Sequence, residues 1–190
     1  MTLLQVMAAS DATDVRLRSD DATVIGTELA ERGVGFGRWP TMPGLSPATP
    51  AAEILSYYGD RVAALNADGR YRYIDVARLQ PGDSDPGWAE KARAAREKFR
   101  SEHRHAEGEV RFFVAGRGCF YLRLEPEVVA LVCTAGDLVS VPAGTRHWFD
   151  TGERPDFVAI RFFEEPNGWV GDFTGDPIGE RFPTLDQLIA

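Results

Sequence analysis

The stretch Glu102-His103-Arg104-His105-Ala106-Glu107-Gly108-Glu109-Val110-Arg111 holds two of the three histidines in the chain and three of its acids. In an extended backbone, residues i and i+2 point to the same face. His103 and His105 are therefore expected to present both imidazoles on one side. A turn at Ala106–Gly108 can bring the chain back, so that a carboxylate approaches the same point. Glu109 is one candidate for that acid, and Glu107 and Glu102 are the others. The third histidine, His147, follows a turn in Pro142-Ala143-Gly144-Thr145-Arg146-His147. An isolated histidine is more often structural than a ligand. Three imidazoles and one carboxylate gathered at one place suit a first-row transition metal.

Composition sets the frame around this stretch. The chain has 190 residues, 44% of them hydrophobic and 26% charged. That is enough for one compact domain with its own core, and too apolar for wholesale disorder. Lys plus Arg is 21 and Asp plus Glu is 29, a net charge of −8. With no basic block, the chain is not expected to bind nucleic acid or an anionic membrane. Only Lys91 and Lys98 are lysines, so arginine is the ordinary cation here. Two cysteines, Cys119 and Cys133, sit in apolar runs and read as small buried residues rather than a disulfide framework. The start of the chain lacks the basic residue and long apolar run of a signal peptide. No run approaches the length of a membrane span. A cytoplasmic monomer is the expectation.

Outward from the histidines the chain divides into an irregular N-terminal half and a β-rich C-terminal half. Leu3–Ala8, Val15–Leu17, Val34–Trp39 and Tyr71–Leu79 read as strands. Asp20–Arg32 reads as a helix with acids in its first turn and Gly33 past its end. After the proline-rich loop Thr41–Pro50, a short helix runs to Tyr58, with Thr49 as its cap. The turn Pro81–Pro86 launches the clearest helix, with Asp85 as cap and Pro86 in first position. Trp88, Ala92, Ala95 and Phe99 fall on one face of that helix and read as a core stripe.

From His103 onward, short β-type runs alternate with turns. The runs are Glu109–Ala115, Cys119–Leu124, Val128–Cys133, Leu138–Val141, Arg146–Asp150 and Phe157–Phe163, and one break falls at Gly116-Arg117-Gly118. This rhythm predicts an antiparallel sandwich or barrel. Trp169, Phe173 and Phe182 in the tail are expected to pack against it.

The ligand-type residues and turn glycines form a two-part pattern. His103-x-His105 is followed after three residues by Glu109 and after six more by Gly116. Gly136 is followed after five residues by Pro142-x-Gly144, and after two more by His147. Across Arg100–Thr151 this resembles the double motif of the cupin superfamily. Two positions depart from it. Glu97 stands where a glycine is usual, and Thr151 where an asparagine is frequent. The resemblance implies a mainly β chain with a few helices, a cupin double-stranded β-helix or jelly-roll barrel. Residues 1–190 would form a single cupin domain. Residues 101–165 would form its metal-binding core, and the strands and helices of 1–100 would pack on it.

A narrower resemblance runs from about Tyr71 to Thr174. Phe99-Arg100-Ser101-Glu102-His103-Arg104-His105, Glu109-Val110-Arg111-Phe112-Phe113-Val114 and Ser140 through Asp150 are similar to the acireductone dioxygenase family, as are Ala159-Ile160-Arg161 and Gly168-Trp169. The residues between the ligand positions match as well as the ligand positions themselves. The resemblance implies a methionine-salvage dioxygenase with one Fe(II) or Ni(II) per chain, held by His103, His105, Glu109 and His147. Its substrates would be an acireductone with a methylthio tail and dioxygen. The iron form of the family gives a keto acid and formate; the nickel form gives a shorter acid, formate and carbon monoxide. Two other readings stand beside it. One is a cupin dioxygenase for another enediol-like substrate. The other is a non-enzymatic metal- or ligand-sensing cupin.

Charge balance singles out one more residue. A divalent metal with Glu109 keeps one positive charge, and a doubly deprotonated enediol brings two negative ones. Arg111 lies two residues beyond Glu109 on the same strand face, and its guanidinium is permanently charged. It is the expected catalytic and substrate-binding cation. Phe99, Phe149 and Trp169 match pocket positions of the family and are expected to line the methylthio tail. Arg104 and Arg146 alternate away from the ligand side and read as structural.

Overall fold

The computed structural model describes residues 1–81 and 87–190. In chain order the elements are β1 (Leu3–Ala8), β2 (Asp11–Ser19), α1 (Ala22–Glu31), β3 (Gly35–Arg38), α2 (Ala51–Tyr57), α3 (Gly59–Leu65), β4 (Tyr73–Leu79) and α4 (Trp88–Arg100). There follow β5 (His103–Arg104), β6 (Glu109–Leu124), β7 (Glu127–Thr134), β8 (Asp137–Val141), β9 (Arg146–Asp150), β10 (Asp156–Phe163), β11 (Asp172–Phe173), a 3-10 turn at Pro177–Glu180 and α5 (Leu185–Leu188). The described strand pairings are antiparallel, and the mainly β expectation holds. Among the described residues no helix is long and apolar enough to cross a membrane.

The organising element is β6. Gly116-Arg117-Gly118 was expected to separate two strands, but β6 runs through it unbroken for 16 residues. Its first half pairs with β10 and β8, and its second half with β7 and β9. The strand changes sheets without ending, and the glycines permit the bend. Gly116 has φ +70, and a Cβ there would lie 1.8 Å from the Asp156 carbonyl oxygen. Just before it, the register against β10 shifts at Val158/Ala159, which is a β-bulge. Glycine in such a run reads as a break because it lacks β-propensity. Here it lets a strand turn a barrel corner.

The bent sheet encloses one core. Phe113, Phe120, Leu122, Leu131, Val139 and Phe149 meet inside it, with Ile25 and Leu29 of α1 added from the N-terminal half. The outer face of one part stacks Tyr121 on Trp148, with ring centroids 5.2 Å apart and planes within 5°, under Ile178, Phe182 and Leu185 of the C-terminal tail. The outer face of the other packs Phe112, Ile160 and Phe162 against Ile54 and Tyr58. Burying a large apolar side chain stabilises by roughly 1.5–3 kcal/mol, so these three clusters hold the barrel in shape.

Several local expectations are corrected. Asp20 and Asp21 precede α1 rather than lying in its first turn. The Asp21 carboxylate accepts from the Thr23 and Val24 amides as the N-cap. Pro50, not Thr49, is the N-cap residue of α2, because the Thr49 hydroxyl accepts from the Ser46 amide instead. The strand expected at Val15–Leu17 extends over the whole of β2, carried by pairing with β1 rather than by its own apolar pattern. The α4 stripe is only partly core: Ala92 is buried, Trp88 and Ala95 are half-buried, and Phe99 is exposed. The expected launch of α4 at Asp85 and Pro86 lies outside the described residues. In the tail, Phe182 is buried as expected, but Trp169 and Phe173 stay about half exposed.

Candidate metal centre

Two strands bring the histidines together. β5 pairs with β9 in the register that sets His103 opposite His147, and His105 follows β5 directly. The ring centroids lie 4.5 to 5.2 Å apart, and one ring nitrogen from each lies within 4.8 Å of the others. Glu109 opens β6 beneath them, its Oε2 3.0 Å from His147 Nε2 and 3.5 Å from His105 Nε2. All four residues are buried. The other two candidate acids are committed elsewhere. Glu102 accepts from Arg123 at 3.2 Å and from the Thr174 hydroxyl at 2.6 Å. Glu107 accepts from the Glu164 amide at 2.6 Å.

The hydrogen bonds of the rings decide what they can do. Each Nδ1 faces a backbone carbonyl: Ser101 for His103 at 2.7 Å, Val170 for His105 at 3.0 Å and Thr145 for His147 at 2.8 Å. A carbonyl only accepts, so each Nδ1 carries the hydrogen and each Nε2 keeps a lone pair. All three lone pairs belong to one small buried space. His147 Nε2 is buried there without a hydrogen-bond partner, its approach to Glu109 lacking hydrogen-bond geometry. Buried polar atoms are rarely left so, and three imidazole nitrogens with one carboxylate are what a divalent transition metal takes. The residues present fit such an ion.

Charge preferences differ between two of the rings. Burial, aided by the neighbouring His147 imidazole, pulls His103 down to about 4, which leaves it neutral at ordinary pH. Burial would also lower His105, but the Glu109 carboxylate beside it raises it on balance. Burial alone would lift the Glu109 carboxyl, yet Arg111, His105 and His147 hold it well below the usual carboxylate range. Glu109 is thus kept ionised beside a neutral His103 and two further imidazoles, a place where a cation would be welcome.

Arg111 stands where its strand position placed it. Its Nη2 donates to Glu109 Oε1 at 2.5 Å. Its guanidinium carbon lies over the Phe149 ring at 4.5 Å and the Phe120 ring at 4.9 Å. Its buried Nε has no hydrogen-bond partner. A cation resting against two adjacent aromatic rings, whose centroids are 4.8 Å apart, is held in place without using all its donors.

A cavity of about 280 Å³ opens onto this cluster. It is lined by the three histidines, Glu109 and Arg111, and also by Phe99, Phe149 and Trp169, so the structure brings all the expected site residues to one space. Phe149 is buried, Phe99 is 36% exposed and Trp169 is 52% exposed, which makes the inner wall fixed and the outer wall open. A more open groove of about 710 Å³ lies between α4 and the tail, but Arg96 on its wall is engaged by Asp150. Arg104 and Arg146 point away, towards Asp172 and Glu125. Cys119 and Cys133 are buried free thiols, pushed well up by burial.

Sequence reasoning named Trp169 in the segment that closes the site but missed the contacts of the two residues after it. Val170 supplies the His105 carbonyl contact from 65 residues away. Gly171 lies so close to the His103 ring that a Cβ would sit 3.0 Å from its Cδ2. For those two contacts Gly171 itself was the local signal.

Comparisons with known proteins agree with this geometry. The family model described as the ARD/ARD' family matches residues 81–171. "Acireductone dioxygenase 2" of Nocardia farcinica is 65% identical over 100% of this chain and 98% of its own length. The "Acireductone dioxygenase" of Prochlorococcus marinus is 46% identical over 93% of this chain and 92% of its own. Among solved structures, "Acireductone dioxygenase from Bacillus anthracis with cadmium ion in active center" superposes with a TM-score of 0.74 at 28% identity, covering 91% of this chain and 98% of that one.

Proposed function

From the premise that the chain belongs to the acireductone dioxygenase family, we propose that His103, His105, Glu109 and His147 hold one Fe(II) or Ni(II) per chain. The substrates are the acireductone 1,2-dihydroxy-3-keto-5-methylthiopentene and dioxygen. The observation that carries this reading is the set of three Nδ1–carbonyl hydrogen bonds, which turn three Nε2 lone pairs towards one point beside Glu109. Held by these four side chains, a divalent ion would supply Lewis-acid stabilisation of the substrate's anionic enediolate form.

The chain's own side chains do the rest. Arg111 lines the cavity and supplies a permanent positive charge and guanidinium N–H donors at the enediolate. Phe149 and Phe120 hold that guanidinium in place and keep water from it. Phe99 and Trp169 line the outer cavity, where the methylthio tail packs sulfur against ring.

Oxygen uptake with product analysis tests the assignment. Metal-loaded protein should consume one O2 per acireductone and none with catechol or quercetin. The iron form should yield 2-keto-4-methylthiobutyrate and formate. The nickel form should yield methylthiopropionate, formate and carbon monoxide. No uptake with either metal would remove the reading. In a separate test, His105→Ala should lose stoichiometric metal by elemental analysis, and full metal content there would contradict the ligand set.

A further inference from the structure

Glu107 is an acid of the histidine stretch for which the metal cluster has no use. Its half-buried carboxylate accepts from two consecutive main-chain amides, Glu164 at 2.6 Å and Glu165 at 3.3 Å. Those amides begin residues 164–174, a strap that leaves β10 and ends on β11 beside β5. Gly168 fits against the same carboxylate so closely that a Cβ would lie 1.3 Å from its Oε1. Beyond that point the strap reaches the site at several residues, Phe173 against the His103 ring among them. Trp169 lines the cavity, the Val170 carbonyl takes the His105 Nδ1 hydrogen, and Gly171 lies against the His103 ring. The far end is fastened by the Thr174 amide on the Glu102 carbonyl and by the Arg104–Asp172 pair.

We propose that Glu107 is a positioning residue that seats this strap, and through it fixes the His105 tautomer and the outer wall of the substrate cavity. An ionised carboxylate holds amides about twice as strongly as a neutral acceptor, which suits a tie that must outlast opening of an exposed segment. Without the tie, Val170 leaves His105 Nδ1 free to bond water, and the ring loses its fixed orientation. Trp169 moves with it. The metal part of this inference rests on His105 holding the metal; the strap part does not.

Hydrogen exchange, Ni(II) affinity by chelator competition, and steady-state kinetics on the full chain test it together. Glu107→Ala should speed exchange within 164–174 while leaving the barrel strands protected. It should weaken Ni(II) binding about 10-fold, in the range for loss of a residue that orients a metal-bound histidine, and raise KM more than it lowers kcat. Gly168→Ala, which displaces the carboxylate from the strap side, should give the same pattern. Glu107→Gln keeps one acceptor oxygen and should recover most of the affinity. Unchanged exchange in 164–174 would overturn the proposal. So would faster exchange with wild-type Ni(II) affinity and KM, or a lowered Tm with all three readouts unmoved. If His105→Ala binds Ni(II) like the wild type, the ligand set fails, while the exchange result on the strap still stands.

Discussion

A histidine offers two nitrogens, and which one faces the site is settled by the partner of the other. For His103 and His147 that partner is the carbonyl two residues earlier, Ser101 and Thr145. Both contacts are local consequences of an extended chain. His105 departs from this, since its carbonyl comes from Val170, and no local pattern announces a partner so distant in sequence. The choice of acid was open for a similar reason: Glu102, Glu107 and Glu109 are chemically equal in the sequence, and only their partners distinguish them. Arg111 was legible because strand alternation fixes its face. Arg111→Met should retain metal by elemental analysis while kcat/KM falls by roughly 100-fold, the order seen when one donor to a developing oxyanion is removed. Wild-type turnover in that variant would contradict its role in charge balance.

Among the elements, β6 shows how glycine misleads. Gly116 and Gly118 carry the signal of a turn, yet the ladder with β10 runs through Gly116 to Arg117, where the ladder with β7 takes over and carries on through Gly118. Pairing from four neighbouring strands outweighs the weak intrinsic preference of glycine. Gly118 also serves the site, because a Cβ there would meet the Phe149 ring at 2.2 Å. Gly118→Ala should therefore push Phe149 against Arg111 and disturb the pocket. The expected outcome is a loss of 1–3 kcal/mol in urea unfolding, the usual order for overpacking, together with a several-fold rise in KM. An unchanged KM in a folded variant would show that the ring yields elsewhere. The α4 stripe failed for a different reason: helical periodicity marks a face but not how deeply the rest of the molecule covers it.

For the molecule as a whole, buried charge joins parts that are far apart in sequence. The Asp150 carboxylate on β9 accepts from Arg96 of α4 at 2.7 Å, from the Leu185 amide at the start of α5 at 2.9 Å and from the Gly152 amide at 3.0 Å. Burial alone would raise its carboxyl, but Arg96 and the two amides hold it below the ordinary value. A carboxyl depressed in the folded state contributes stability above its unfolded pKa, near 4. That contribution is lost as pH falls through the folded value. Asp150→Asn should cost about 3 kcal/mol at pH 7, since it removes the buried carboxylate that Arg96 faces and leaves only the more exposed Asp186, 3.2 Å from Arg96 Nη2, as its charge partner. The gap to the wild type should shrink as pH falls below about 4, measured by urea midpoints at each pH. A gap that stays constant into acid would contradict the linkage. None of this tie was legible in the sequence, because its members lie up to 90 residues apart.

The gathering of His103, His105, Glu109 and His147 around one ion is open to direct observation by X-ray absorption at the metal edge of the loaded chain. The expected first shell is six nitrogen and oxygen atoms with the outer scattering of three imidazoles, falling to two in His105→Ala if metal is forced in. A sulfur neighbour, or an imidazole count that His105→Ala leaves unchanged, would contradict it.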